Sequence, residues 1–442
     1  MLAGVFAGVA VSANPSLATD LAEVLPGSTA EVGPEEAGPE EAGPEYAVTP
    51  PADFADVKLA NAGTLGSPAV TVNPKNSAVF LAAYANNGGC WVRTSSNAGR
   101  TWAAARRLPQ VQNGPYCDTP TVIWAPDGSR VYAAYSYSYD PDFAQMAVTS
   151  STDRGANWSP PKIAMRYANR LEAPHIRLAT SLGAGNANWL YLLSTQYPVV
   201  NFTRSGDSGK TWYSTQRLIT CGGRDEYVSD PSVAGGPKGE VLVAWGSNDC
   251  NGTSSARIEV RYSANFGATF SPALAAAPNV GGKTAVAFGS SGVAHLVYVP
   301  DYVSGAGPYY AFSTKAPYGN WSSPLLLNDA VSVNAVFSPA LMVSSCGASN
   351  SVLHAIWLDD RAGAGKLNVY YTRKVTRTAE TWAANLRVSA TSPGSDSDYP
   401  PLLIPAIAPG VSSAVGLWGQ ETWSDTSGPV WASRIASGVS CP

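Results

Sequence analysis

The chain has 442 residues and a net charge of −4, and only 14% of its residues are charged. This weakly acidic balance argues against nucleic acid as a partner, because nucleic-acid-binding proteins carry basic surfaces. No apolar run beyond the first residues approaches the roughly 20 residues that a membrane helix needs, so we expect no membrane span.

The N-terminal part is predicted to lie outside the folded domain. Residues 1–13 are mostly small and apolar and end in Val11-Ser12-Ala13, as at the end of a signal peptide, although a basic start is missing. Residues 14–50 carry an acidic Pro/Gly/Glu repeat, which predicts a disordered linker. Residues 51–442 are then one folded domain of an exported protein, secreted or periplasmic.

A short pattern, S-x-D/N-x-G-x-T/N-W/F, recurs in this domain. Each copy follows a strand-like run of alternating residues and precedes another short strand, which predicts a hairpin turn. The acid or amide would bond backbone N–H groups, the glycine would supply a positive φ, and the aromatic would pack on the sheet. We therefore expect these residues to be structural. The copies span 95–102, 151–158, 205–212, 263–270 and, in degraded form, 313–321.

The pattern resembles the Asp-box, or BNR repeat, of the sialidase-like β-propellers. The resemblance implies an all-β ring of blades, and the spacing of 50 to 58 residues between copies is typical of a propeller. Two further units lack the pattern but keep its strands, at 369–373 and 430–434. We predict a single β-propeller of seven four-stranded blades, with the six blades of sialidases as the alternative.

The last unit lacks a fourth strand, and an unassigned strand, 56–59, precedes the first unit. Pairing this strand with 430–434 would close the ring and remove a sheet edge. We therefore predict closure by strands from both ends of the domain.

The chain contains six cysteines, an even number that suits disulfides in an exported protein. The predicted topology places the cysteines in pairs, each on one rim of the ring, and buried free thiols are the alternative. Metal ligation by cysteine is not expected, because no Cys-x-x-Cys spacing occurs. The predicted disulfides are Cys90–Cys117, Cys221–Cys250 and Cys346–Cys441.

In propellers the ligand site usually lies on the rim opposite these turns, where loops lead into the inner strands. The densest cluster there is 224–230, with a guanidinium, a phenol and three acids. Two carboxylates can act as acid and base on a glycosidic bond, and a tyrosine is the nucleophile in sialidases. The alternatives are that these residues bind a ligand or Ca²⁺ without catalysis, or that the acids only accept hydrogen bonds from the backbone of turns. The predicted catalytic residues are Arg224, Glu226, Tyr227 and Asp230; the predicted substrate-binding residues are Asp118, Glu172, His175, Asp398, Tyr399 and Trp423.

Other polar residues are predicted to be scaffold. Trp357-x-Asp359-x-Arg361 resembles a repeat motif that forms an internal ion pair. His295 and His354 lie on apolar strands and are expected to be core histidines.

The resemblance implies a secreted propeller that acts on glycans through one asymmetric site, as a glycoside hydrolase or polysaccharide lyase. The alternative is a non-catalytic module that binds glycans or proteins. Where the family's Phe/Tyr-Arg-Ile-Pro signature would begin the first inner strand, residues 66–70 contain no arginine, so no catalytic residue is carried over. We expect a monomer with a carbohydrate or glycoconjugate partner and no cofactor, with Ca²⁺ left open.

Overall fold

The protein is described by a computed structural model. Its described residues lie in strands and connecting turns, and none of them forms a helix of membrane-spanning length and hydropathy. The predicted segments 1–13 and 14–50 lie outside this part of the chain. The structure describes residues 56–63, 68–111, 116–140, 143–168, 175–183, 187–196, 199–220, 227–228, 231–248, 256–300, 307–330, 333, 336–346, 350–363, 366–376, 381–390, 394–395, 406–409, 413–419 and 428–436.

The strands form seven antiparallel sheets, the blades of a β-propeller. Blade I consists of β2 (Ala69–Asn73), β3 (Asn76–Asn86), β4 (Gly89–Ser95) and β5 (Arg106–Arg107); blade II of β6 (Tyr116–Trp124), β7 (Val131–Asp140), β8 (Phe143–Ser151) and β9 (Lys162–Ala168). Blade III consists of β10 (His175–Leu182), β11 (Asn188–Gln196), β12 (Val199–Ser205) and β13 (Gln216–Thr220); blade IV of β14 (Tyr227–Val228), β15 (Ser232–Gly235), β16 (Val241–Asn248), β17 (Arg257–Ser263) and β18 (Leu274–Pro278).

Blade V consists of β19 (Gly282–Phe288), β20 (Ala294–Pro300), β21 (Tyr309–Ser313) and β22 (Leu325–Leu326). Blade VI consists of β23 (Val336–Cys346), β24 (Asn350–Asp359), β25 (Lys366–Val375), β26 (Leu386–Arg387) and the short β27 (Gly394–Ser395); blade VII of β28 (Ala406–Pro409), β29 (Ser413–Gly419), β30 (Gly428–Ala436) and β1 (Val57–Gly63).

The ring is closed by the first strand of the chain. β1 pairs antiparallel with β30, with Val57 opposite Ala432 and Lys58 opposite Trp431. The predicted seven blades and their closure are confirmed, and the six-bladed alternative is wrong. The inner strand of blade VII is β28.

The core lies between neighbouring blades. The second strand of each blade has neighbouring blades packed on both of its faces. Because both faces are buried, its sequence is mainly a run of apolar residues. β20, for example, is buried at every residue. Trp245, Trp357 and Trp418 of three second strands are among the largest fully buried side chains.

The repeated turn has one hydrogen-bond geometry in its four intact copies. In the third copy the Asp207 carboxylate accepts the Thr211 N–H at 2.9 Å, as predicted. The Ser205 hydroxyl accepts the buried Gly209 N–H at 2.9 Å, a role that we had not assigned. Ser208 has a φ of 63° and Gly209 a φ of 82°, so the left-handed region extends over both residues. The repeat is therefore a structural turn.

One predicted disulfide is confirmed. Cys90 of β4 and Cys117 of β6 are bonded, with Cα atoms 5.4 Å apart, and this links blade I to blade II. Cys346 ends β23. Cys221, Cys250 and Cys441 lie outside the described residues, so the other two pairs stay predictions.

The predicted internal ion pair is also confirmed. Arg361 donates to the fully buried Asp359 carboxylate at 2.7 Å, and the Trp357 indole N–H donates to the same oxygen at 2.8 Å. Arg361 reaches Asp329 as well, at 2.8 Å. The motif thus holds blade VI to the segment that follows blade V.

Both predicted core histidines are confirmed as buried. His295 Nδ1 lies 2.9 Å from the Tyr310 hydroxyl, and His354 Nδ1 lies 2.8 Å from that of Tyr371. Burial lowers the pKa of His295 to about 4 and the pKa of His354 to about 3. The two rings are therefore neutral over most of the pH range.

Candidate functional site

The ring has two distinct rims. Every blade begins with its inner strand, and the third strand runs parallel to it and ends at the repeated turn. The turns therefore lie on one rim, and the inner strands begin on the other, which we name the upper rim. Cys90 and Cys117 lie near the starts of β4 and β6, so the disulfide belongs to the upper rim.

The seven inner strands line a central channel with a cavity volume of about 200 Å³. Neighbouring inner strands contact one another around the ring, and β28 contacts β2 to complete it. Six of the seven blades contribute a polar residue to the described lining, but only blades III and V contribute a charged one. The polar residues that line it are Thr71, Thr119, Thr121, Arg177, Ser232, Lys283, Thr284 and Ser338.

Two of these residues, Arg177 and Lys283, are charged, and both are cations. Among the described residues that line the channel there is no carboxylate. Both side chains are half-buried. The described wall of the channel is therefore positive, although the whole chain is weakly acidic.

Arg177 breaks the symmetry of the ring. In blades I to V, strand pairing identifies one equivalent residue of each inner strand. This residue pairs with a second-strand residue, which in turn pairs with the third-strand residue three positions before the turn serine. Arg177 is the one charged residue in this set, and its Nη1 donates to the Ile176 carbonyl at 3.2 Å. The residues at this position are Ala69, Thr121, Arg177, Ser232 and Ala285.

Lys283 is held by a residue with an unusual backbone. Its Nζ donates to the Ser338 hydroxyl at 3.3 Å. Ser338 is fully buried, has a φ of 47° and precedes Pro339. Blade II repeats this feature, since Thr119 has a φ of 44° and precedes Pro120. A residue other than glycine rarely adopts a positive φ, and the following proline restricts its backbone further, so both positions are strained.

Hydroxyl groups link the inner strands to their neighbours. The Thr284 hydroxyl donates to the Ala244 carbonyl at 3.1 Å, which joins blade V to blade IV. The Ser232 hydroxyl lies 3.0 Å from that of Thr284. The wall of the channel beside Lys283 is therefore cross-linked between blades IV and V by hydrogen bonds.

Three of the residues predicted for the site fall in described strands near the upper rim. Asp118 lies on β6, and its carboxylate accepts the Thr119 N–H at 2.8 Å. Tyr227 of β14 pairs with Asn248, and His175 of β10 pairs with Thr195. The others, Arg224, Glu226, Asp230, Glu172, Asp398, Tyr399 and Trp423, lie outside the described residues.

A buried carboxylate that we had not considered lies beside β14. Glu259 of β17 is almost fully buried and accepts the Trp245 indole N–H at 3.1 Å and the Ser247 hydroxyl at 3.0 Å. Ser247 pairs with Val228, next to the predicted Tyr227. Glu259 therefore bonds side chains of β16, the strand with which β14 pairs. In the sequence, Glu259 is the one acid of β17 and stands between Arg257 and Arg261.

No group of three or more His, Cys, Asp or Glu side chains suited to a metal ion occurs among the residues that the structure describes. Ca²⁺ binding by the acidic loops of the upper rim stays a prediction.

Solved structures share this fold at low sequence identity. A lectin from Burkholderia pseudomallei aligns with a TM-score of 0.58 and 14% identity, over 86% of this chain and 98% of the lectin. A protein of unknown function from Dyadobacter fermentans aligns with a TM-score of 0.50 and 10% identity, over 86% of this chain and 99% of that one. A leech intramolecular trans-sialidase aligns with a TM-score of 0.46 and 9% identity, over 81% and 83%.

No protein-family model matches the sequence, and no curated protein matches it either. At identities of 10% and 14%, the likeness to the Dyadobacter fermentans protein and the Burkholderia pseudomallei lectin establishes the fold alone. The chain is thus a seven-bladed β-propeller that resembles a lectin in its architecture.

Proposed function

We propose that the protein is a secreted, sialidase-like propeller that binds glycans at the upper-rim mouth of the channel and cleaves them, as a glycoside hydrolase or polysaccharide lyase. The observation that carries this proposal is the asymmetry of the channel. Its two cations, Arg177 and Lys283, belong to blades III and V, whereas the described lining residues of the other blades are uncharged.

Asymmetry favours one site over a site in every blade. A propeller with a binding site in each blade would place similar residues at equivalent positions. Here the equivalent positions in blades I to V carry Ala, Thr, Arg, Ser and Ala. A single site with chemically different groups is what catalysis requires.

The catalytic groups in this proposal come from the 224–230 cluster. Glu226 and Asp230 would act as acid and base, with Tyr227 as the alternative nucleophile. Arg224 would bind an anionic group of the substrate through its fork of N–H donors. β14 supports this placement, because it fixes the backbone of Tyr227 against the end of β16. The proposed substrate-binding side chains are Asp118, Glu172, His175, Asp398, Tyr399 and Trp423.

The second candidate is a non-catalytic glycan-binding module. The fold likeness to the Burkholderia pseudomallei lectin favours it. It also fits the absence of any carboxylate among the described lining residues of the channel.

Export is supported by the disulfide between Cys90 and Cys117, because such bonds persist in oxidising compartments. The signal-peptide-like residues 1–13 agree with it. We propose that the protein works outside the cytoplasm.

A glycan array combined with a reducing-end release assay on the same glycans tests these proposals. Binding with release of new reducing ends, or of unsaturated ends, supports the enzyme. Binding without release supports the second candidate. If no glycan is bound or cleaved, the proposed function is wrong.

A further inference from the structure

We propose that the central channel contains a binding site for an oxyanion, with Arg177 and Lys283 as its ligands. The oxyanion is a carboxylate or a sulfate, either free or carried by a sugar. The site consists of described residues alone, so it does not depend on the proposed catalytic cluster.

Among the described residues that line the channel, the charges are unbalanced. Arg177 and Lys283 take part in none of the ion pairs among the described residues, which involve Arg257 and Arg361. Both cations are half-buried in a narrow channel. A partly desolvated cation without a counter-charge is unfavourable, and an anion bound beside it offsets that cost.

Both cations have hydrogen-bond donors to spare. Arg177 uses one N–H for the Ile176 carbonyl, and Lys283 uses one for the Ser338 hydroxyl. No other hydrogen bond of either side chain occurs among the described residues. A guanidinium matches two oxygens of a carboxylate or sulfate at once, and an ammonium adds a point charge.

The wall beside Lys283 is held by hydrogen bonds. Blade V, which carries Lys283, is tied to blade IV through Ser232 and Thr284, and Arg177 lies on the next blade, III. Ser338, which orients Lys283, keeps a strained backbone at a φ of 47°. Strain of this kind is found at ligand sites, where the surrounding structure enforces a geometry that binding uses.

The size of the channel suits a small group. Its volume of about 200 Å³ is below the roughly 300 Å³ at the lower end of sites for drug-sized ligands. The wall away from the cations, in blades I and VII, is mainly apolar and includes Ala69 and Ile407, with Thr71 as its one polar described residue. This geometry fits an oxyanion, alone or on one sugar unit, better than a neutral chain.

The experiment is calorimetric titration of the full chain with sodium sulfate, at an ionic strength held constant with sodium chloride. We expect one saturable site. Arg177→Met and Lys283→Met, which remove the charge and keep the length, should each weaken sulfate binding by about tenfold or more. Lys210→Met and Arg217→Met, which alter exposed cations outside the channel, are the matched controls and should bind as the unchanged protein does.

A protein without a saturable sulfate site, or with a site unaffected by both channel variants, would overturn the inference. Melting temperatures show whether each variant folds, and Arg177→Gln and Lys283→Gln replace any Met variant that does not. Lys283→Arg keeps the charge and should retain binding.

Competition by glucuronate, glucose 6-sulfate and glucose identifies the source of the oxyanion. Displacement of sulfate by glucuronate, and not by glucose, indicates a carboxylate carried by a sugar. Displacement by glucose 6-sulfate, and not by glucose, indicates a sulfate ester carried by a sugar. Displacement by neither indicates a site for the free ion. Displacement by glucose as effective as by the anionic sugars would contradict recognition by charge. Sulfate binding without any glycan binding would leave this site standing and the proposed function wrong.

Discussion

Lys58 of the first strand lies opposite Trp431 of the last, and its ammonium is 5.0 Å from the centroid of the indole ring. The next residue, Leu59, is 1% exposed and belongs to the same core cluster as Phe80 and Val430. Blade VII is therefore completed by residues more than 360 positions apart in the chain. This contact joins the two ends of the domain into one cooperative ring.

Leu59→Ala should weaken the closure of the ring. Removing a buried leucine side chain costs about 2–4 kcal/mol through lost burial and the cavity left behind. Lys58→Ala, which removes a partly exposed cation–π contact, should cost only about 0.5–1 kcal/mol. Chemical denaturation measures both. Equal, small effects of the two substitutions would mean that β1 contributes little to the ring.

The second repeated turn should lose stability in acid. Hydrogen bonds from the Asn157 N–H, the Ser151 hydroxyl and the Asn157 amide lower the pKa of Asp153 to about 2. The pKa of an aspartate in the unfolded chain is about 3.9. The stabilisation by these hydrogen bonds is therefore complete above about pH 4 and is lost as the pH falls toward 2.

Asp153→Asn should keep the turn at neutral pH, because Asn97 makes the same bond in the first turn, to the Thr101 N–H at 2.9 Å. The substitution should reduce the dependence of unfolding free energy on pH between about 4 and 2. Denaturation of both proteins across this range measures the difference. An identical pH dependence would show that the hydrogen bonds of Asp153 do not stabilise the folded state.

The buried histidines should make the protein less stable in weak acid. Their pKa values are lowered by burial to about 4 for His295 and about 3 for His354. An unfolded histidine takes up a proton below about pH 6.5, so the unfolded chain binds more protons than the folded one. Stability is therefore full above about pH 6.5 and falls as the pH drops toward 4.

His354→Gln should lower the melting temperature at pH 7, because the bond to Tyr371 is altered, and should reduce the further drop on acidification. Thermal unfolding at pH 7.5, 6 and 4.5 provides the comparison. A drop as steep as in the unchanged protein would show that His354 is not responsible.

Removing only one partner of the buried ion pair between Arg361 and Asp359 should strongly lower the free energy of unfolding. Arg361→Met leaves a fully buried carboxylate without its partner and should cost about 3–5 kcal/mol. The double variant Asp359→Asn/Arg361→Met should be more stable than Arg361→Met, because it removes the unpaired charge. Urea denaturation of both variants measures this order, and the reverse order would refute it.

The ring could be predicted from the sequence because its repeat is local. Each intact turn needs its own serine, acid or amide, glycine and aromatic within eight residues, as in 205–212, so the pattern identifies blades I to IV and, in degraded form, blade V. Blades VI and VII lack the pattern and are predicted from their strands. Closure by 56–59 could be predicted because the last unit lacks a fourth strand. The Cys90–Cys117 bond could be predicted because the topology places both cysteines on the same rim.

The cations of the channel could not be found in this way. Arg177 and Lys283 lie in strands of mainly small and apolar residues. In a strand that alternates apolar and polar residues, either cation would be interpreted as a side chain that faces solvent. They share a channel only because the ring brings blades III and V to a common axis. The serine of the repeated turn was overlooked because its acceptor role depends on the backbone geometry at Ser208 and Gly209.

The most direct test of the central claim, action on glycans at the upper rim, compares two variants in the release assay on a glycan that the array identifies. Glu226→Ala should abolish release or binding and change the melting temperature by less than about 2 °C. Asp207→Ala, in the turn on the opposite rim, should lower the melting temperature by a few degrees and keep full activity per folded molecule. If Glu226→Ala remains active and is only less stable, the cluster is scaffold and the proposed site is wrong.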